Sequence, residues 1–218
     1  LTYPHRRAGT LPLGARMTHI FPSALISPRI KITLRDALSG DEMPGWVVQH
    51  ERFVSGLGSL YEKYAVPAGG RVTLLPGADA SEVVVRIERR NALSEWVRTV
   101  SAMDAKLCFG MSKRAIEVRY AEEQIIAVDD VDAVEAVWQR MQENGTTLEQ
   151  IVLSVFRELV KLTPQGTVHA KTLYSAVNVA RRIPPEPVFA ELMCRPRYQH
   201  VGDAYWIHNT DTEERDAD

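Results

Sequence analysis

The sequence predicts a mixed α+β protein of two modules: a small β barrel or sandwich carrying one short inserted helix, then a winged helix-turn-helix. Three observations carry this. The stretch Gly45–Leu75 reads as strand, glycine turn, two-turn helix, turn and strand. Up to residue 120 the chain is a run of about seven short strands separated by turn residues. From Thr146 onward, three amphipathic helices and a terminal hairpin follow one another.

Residues 1–28 are rich in Pro, Gly and Arg and are expected to be irregular, with Arg6, Arg7 and Arg16 exposed and Ala15–Phe21 a short strand or single turn. Ile30, Ile32 and Leu34 alternate with Lys31, Thr33 and Arg35, the period of a half-buried strand. Ser39-Gly40-Asp41 is a turn. Trp46, Val47 and Val48 start an apolar strand expected to continue through Phe53 and Val54, until Gly56 and Gly58 break it. Leu57, Leu60, Tyr61 and Tyr64 form the buried stripe of the short helix; Pro67 and Gly69-Gly70 stop it, and Val72, Leu74 and Leu75 begin the next strand. After the Pro76–Asp79 turn, Val83, Val85 and Ile87 point one way. Asn91–Met103 is ambiguous between strand and helix, and a hairpin is expected around Met111–Arg114.

At Asp129 the texture changes. Val131, Val134, Trp138 and Met141 mark a helix capped by Asp129 or Asp130 and ended by Asn144-Gly145. Thr146-x-x-Glu149 reads as a capping box ahead of the apolar face Leu148, Ile151, Val152, Val155, Phe156, Leu159 and Leu162. A second helix is expected over Val168–Val179 and a third over Glu186–Met193, opened by Pro184-Pro185. Arg197–His208 forms two strands around Gly202-Asp203. The expected domains are therefore 1–120 for the barrel, 121–145 for an acidic connector helix, 146–209 for the winged helix-turn-helix and 210–218 for a disordered acidic tail.

The net charge of −2 hides strong segregation: residues 1–36 carry +5 and residues 86–120 carry +4, whereas residues 121–150 carry −7. Basic blocks inside the predicted modules are compatible with a polyanion partner. Cys108 and Cys194, far apart and without CxxC spacing, fit two buried thiols and a cytoplasmic protein better than a disulfide framework. No apolar run suits a membrane span, so no membrane partner is expected.

Two family resemblances sharpen the fold. The order ITLRD, GW-V, G-LYEKYAVPAGGRVTL and VVVRI over roughly residues 28–90 resembles the B-three type pseudobarrel of plant transcription factors and some restriction endonucleases. Ile32–Asp36, Trp46, Tyr61 and Val66-Pro67-Ala68-Gly69 stand at the family's structural positions. The resemblance implies two basic arms gripping the major groove of DNA, one from Arg6, Arg7, Arg16, Arg29 and Lys31, the other near His50 and Arg52. The N-terminal segment departs from the plant pattern, so the arms do not align residue by residue. Residues 147–208 resemble the HARE winged helix-turn-helix family, through His169, Lys171, Leu173, Tyr198, Val201, Gly202, Tyr205 and Trp206. Its third helix offers Glu186 and Glu191 where a base reader would place donors, which argues against base reading by that helix. Arg181, Arg182, Arg195, Arg197 and His200 remain candidates for phosphate contacts, with Lys171 beside them.

Neither HExxH, GxSxG nor a phosphate-binding P-loop occurs, and the histidines lack metal-ligand spacing. No catalytic residue, metal or cofactor is expected. The sequence thus reads as a non-catalytic double-stranded DNA-binding protein acting in transcription regulation, the barrel gripping DNA and the winged helix assisting. The alternatives are an adaptor whose winged helix docks a protein partner, and the DNA-targeting part of a larger nuclease or helicase system.

Overall fold

The protein is described by a computed structural model over residues 1–23 and 27–209, so the expected tail at 210–218 lies outside the described residues. It is a mixed α+β chain that divides into two compact units, Leu1–Ser94 with Ala115–Ala121, and Glu95–Arg114 with the described residues from Glu122 onward. This division differs from a single break at residue 120. A long hairpin, β7 (Arg89–Met103) and β8 (Lys106–Val118), contributes to both units.

In the first unit the opening segment is more regular than its composition suggests. Pro4 supplies a helix-ready φ to α1 (Tyr3–Ala8), which ends at Gly9 in the left-handed region; β1 (Thr10–Pro12) and a 3-10 turn over Ala15–Ile20 follow. The remaining elements are β2 (Arg29–Asp36), β3 (Glu42–Val48), β4 (Phe53–Ser55), α2 (Gly58–Lys63), β5 (Val72–Pro76) and β6 (Glu82–Ile87). They build a curled six-stranded sheet in the order β1-β4-β3-β2-β6-β5, antiparallel except where β2 runs parallel to β6. The apolar run from Trp46 is two strands, not one. It breaks at Gln49–Arg52, and Val48 then pairs with Phe53, because the chain reverses to keep Val47 and Val54 on the same buried face.

The period of β2 points Ile32, Leu34 and Asp36 inward. They meet Val47, Val54, Val83, Val85 and Ile87 from neighbouring strands, and Leu57, Leu60 and Tyr61 from α2. Burial of each aliphatic side chain in this set contributes about 1.5–3 kcal/mol. The Tyr61 hydroxyl donates to the Thr10 carbonyl at 3.1 Å, so its one polar atom is satisfied.

The second unit contains the distal part of the β7–β8 hairpin, whose turn is Asp104-Ala105, both at positive φ, rather than the expected Met111–Arg114. Here β7 pairs in parallel with β9 (Ile126–Val128). In α3 (Val131–Glu143) the cap is Asp130, which accepts from the Ala133 amide at 2.9 Å; Asp129 instead holds Arg114 through both carboxylate oxygens, at 2.7 and 2.6 Å. The expected connector packs on α5 (Ala170–Ala180) and belongs to this unit. The capping box of α4 (Leu148–Val160) is Thr147 with Gln150, one residue later than expected, because both reciprocal hydrogen bonds form there.

The remaining elements are β10 (Val168–His169), α6 (Pro185–Cys194), β11 (Tyr198–Gly202) and β12 (Tyr205–His208), with sheet order β10-β12-β11. The hairpin turns through Asp203-Ala204, with Gly202 at a register shift. Ile151, Val155, Phe156, Leu173, Val177, Val188 and Leu192 form the core. Thr172 and Ser175 of α5 donate to the carbonyls of Glu123 and Gln124, at 2.7 and 2.6 Å. Cys108 is half-buried and Cys194, the last residue of α6, is exposed, so neither thiol is fully buried, contrary to expectation.

Gly56 gives the sharpest local test of this fold. It sits at φ +104°, where a methyl group would lie 2.4 Å from the Pro44 carbonyl oxygen and 2.9 Å from the Gly45 Cα. Gly56→Ala is expected to cost about 2–4 kcal/mol through backbone strain and overpacking. Urea denaturation with amide-exchange readout should show that loss in β3 and β4.

Candidate nucleic-acid interface

Backbone hydrogen bonds lace three segments together at one end of the six-stranded sheet. Gln49 N–H donates to the Pro28 carbonyl at 3.3 Å, Arg52 N–H to Gln49 at 3.3 Å, and Leu13 N–H to the Arg52 carbonyl at 2.8 Å. Arg52 takes a left-handed φ of +54° to complete this turn. These bonds set Arg29, the first residue of β2, beside the turn that carries His50 and Arg52; all three side chains are exposed. Arg16 and His19, also exposed, follow on the 3-10 turn that leaves Leu13. Glu51 is the acid in the β3–β4 turn. Lys31 lies two residues along β2 from Arg29, on the same outward face and directly across from Trp46 of β3.

The expected first arm is not one group. Arg6 is half-buried and donates from Nε to the Val66 carbonyl at 2.7 Å, which ties α1 to the loop after α2. With Arg7 it sits on α1, ahead of Thr10, which pairs with Ser55; Arg52 lies beyond the opposite end of β4. Arg35, on the outward face of β2, is held by Glu82 at 2.6 Å and Glu42 at 3.4 Å.

A second polar group lies at the other end of β2. Asp36 is fully buried. Its carboxylate accepts from Lys63 Nζ at 2.8 Å, the Tyr64 hydroxyl at 2.6 Å, the Ser39 hydroxyl at 2.8 Å and the Leu38 amide at 3.0 Å. Lys63 also reaches Asp41 at 2.8 Å and Ser39 at 2.7 Å. Burial alone would raise the Asp36 pKa; the hydrogen bonds from Lys63, Tyr64, Leu38 and Ser39 outweigh it and hold the carboxyl well below the usual range. Hydrogen bonds to Asp36 and Asp41 raise the Lys63 pKa. Sequence reasoning marked Asp36 only as a family position and Ser39–Asp41 only as a turn. Its signal was the pairing of a strand-ending Asp with Lys63-Tyr64 at the end of the helix. With four donors on the carboxylate and Lys63 Nζ shared among Asp36, Ser39 and Asp41, this group ties the strand, its turn and the helix together.

In the second unit the expected phosphate contacts are not gathered. Arg195 pairs with Glu149 at 2.9 Å and Glu191 at 3.1 Å, and Arg197 with Glu149 at 2.7 Å, so these two cations are already neutralised. Glu149 is available for this because Gln150 takes the capping role. His200 packs against Trp206 with ring centroids 5.2 Å apart and the rings tilted by 55°. Lys171 lies in the first turn of α5, Arg181 is its C-cap and Arg182 follows, all exposed. The exposed face of α6 is Glu186, Ala190, Met193 and Cys194.

Among the described residues no three His, Cys, Asp or Glu side chains are arranged to hold a metal ion, and no helix is long and apolar enough to cross a membrane. Compared with protein-family models, curated proteins and solved structures, the chain matches none.

The Asp36 group sets a pH signature. Its depressed carboxyl pKa contributes stability that is present above the ordinary value of 3.8 and lost as pH falls further. The raised Lys63 pKa contributes stability present below 10.5 and lost as pH rises beyond it. Asp36→Asn is expected to cost about 1–3 kcal/mol from roughly pH 5 to 9. The gap from the parent protein should close below about pH 4 in urea titrations, and a gap constant into acid would contradict the assignment.

Proposed function

We propose that this protein is a non-catalytic double-stranded DNA-binding protein whose first unit, a B-three type pseudobarrel, grips phosphates at one end of its sheet. The observation that carries the reading is the convergence of Arg29, His50 and Arg52, with Arg16 on the segment hydrogen-bonded to that same turn. Three backbone hydrogen bonds hold the segments, so the cations are presented by a rigid frame with little ordering left for a ligand to impose. The barrel reading is supported by Asp36 at the end of β2, Trp46 in β3 and Tyr61 in the short helix, each in its expected element.

The second unit supports a winged helix-turn-helix reading through its helix, strand, helix, helix, hairpin order and its β10-β12-β11 sheet. Its role in this reading is to dock a protein. Met193 on α6 is 75% exposed, and Val201 and Tyr205 on the hairpin are 47% and 42% exposed, while Arg195 and Arg197 are tied up by carboxylates. An apolar helix face with Glu186 beside it suits a protein surface better than phosphates.

Fluorescence anisotropy of labelled duplexes against the full chain tests the DNA reading. Binding is expected to weaken steeply between about 50 and 200 mM salt. Arg29→Ala with Arg52→Ala should weaken it further and lower the log–log salt slope by about 1.8, roughly 0.9 per lost phosphate contact. Lys171→Ala should leave it unchanged. Absence of binding at about 50 mM salt would overturn the reading.

A further inference from the structure

The outward face of β2, β3 and β4 carries a feature that phosphate gripping does not use. Trp46 stands on the solvent side of the sheet, 43% exposed, with no aromatic or cationic partner among the described residues. Its cross-strand neighbours are Lys31 on β2 and Ser55 on β4. One row away, Arg29, Val48 and Phe53 stand opposite one another. Arg29, Trp46, Val48, Phe53 and Ser55 line a shallow hollow of about 270 Å³. Neither Arg29 nor Lys31 has an acidic partner among the described residues, whereas Arg35 further along the same face has two.

An indole face, an apolar floor, Arg29 on the rim and Lys31 across from the indole, both cations without an acidic partner among the described residues, form a combination with a definite chemical preference. The indole and the floor suit a flat aromatic ring, and the cations suit negative charge on either side of it. Arg29 and Lys31 are separated by two strand residues, about 6.8 Å, the scale of one nucleotide step in an extended strand. A base inside a duplex has both faces covered by its neighbours and offers only edges. Within a nucleic acid, the ring of Trp46 therefore suits an unpaired base and not a base inside a duplex. Two larger hollows lack this combination. The one beside Lys63 and Tyr64 has its Arg89 paired with Glu117 at 2.8 Å, and the one beside Arg181 contains no aromatic side chain.

We propose that this face is a single-stranded DNA subsite, in which an unpaired base stacks on Trp46 while Arg29 and Lys31 hold the flanking phosphates. The proposal rests on the DNA-binding reading of the same unit and extends it. Arg29 belongs both to the basic sheet end and to the rim of the hollow, so a duplex gripped at the sheet end leads its unpaired strand across Trp46. The preferred ligand is accordingly a duplex with a single-stranded overhang.

The test uses the full chain and three labelled probes: a blunt duplex, the same duplex with a thymidine overhang, and that overhang made of abasic sugars. The thymidine overhang is expected to bind about 5- to 150-fold more tightly than the blunt duplex. Trp46→Ala should remove that gain while leaving blunt-duplex affinity within about twofold, and Trp46→Phe should keep most of it. The abasic overhang should show little gain in any variant. Equal binding of thymidine and abasic overhangs, or a gain that survives Trp46→Ala, overturns the subsite while the duplex reading stands. Failure of every probe to bind overturns both. Because Trp46 projects to solvent, its replacement leaves the core untouched, and the blunt-duplex titration reports whether each variant is folded.

Discussion

The first unit depends on one buried carboxylate. Asp36 lies at the end of the strand that joins the antiparallel and parallel parts of the sheet, and it is placed in the core where an unpartnered charge would cost several kcal/mol. Four donors remove that cost, and they come from two places: Leu38 and Ser39 in the turn after β2, and Lys63 and Tyr64 at the end of α2. A hydrophobic contact would let α2 slide or rotate with little penalty. A carboxylate with four directed partners does not. The single helix is therefore fixed in position over the sheet, with Leu57, Leu60 and Tyr61 facing the core.

What the sequence made legible follows from periodicity. The alternation in β2 and β6, the stripe of α2 and the continuous apolar face of α4 were readable because each repeats over several residues, and the structure shows those faces buried. Breaks were harder. Nothing in Gln49–Arg52 marks a reversal, since no glycine or proline stands there and Arg52 adopts positive φ itself. The hairpin turn at Asp104-Ala105 was missed for the same reason, and the polar run Ser112-Lys113-Arg114 looked more turn-like than the true tip. The capping box was displaced by one residue because Thr146 and Thr147 are followed at the same spacing by Glu149 and Gln150, two pairs that composition cannot rank.

The site was legible only as a list of cations. Charge type is written in the sequence; charge availability is decided by what stands nearby after folding. Arg35, Arg195 and Arg197 find carboxylates within 3 Å, Arg6 finds a carbonyl, and Arg29 and Lys31 find no acid among the described residues. Those partners lie up to 60 positions away in the chain for Arg6 and 48 for Arg197, beyond any local pattern. Trp46 was read as part of a strand, and only the register shows which face it takes and that a lysine stands opposite.

The β7–β8 and β11–β12 hairpins each turn through an Asp-Ala pair, and in each pair the alanine carries a left-handed backbone that glycine would adopt without steric cost. Ala105 and Ala204 thus hold conformations disfavoured by roughly 1–2 kcal/mol apiece. The two tips are places where the native fold is not at its local optimum, and where a drift toward glycine would tighten a ribbon rather than loosen it. Relieving that strain with glycine would add to the stability margin from which the cost of damaging substitutions elsewhere is met.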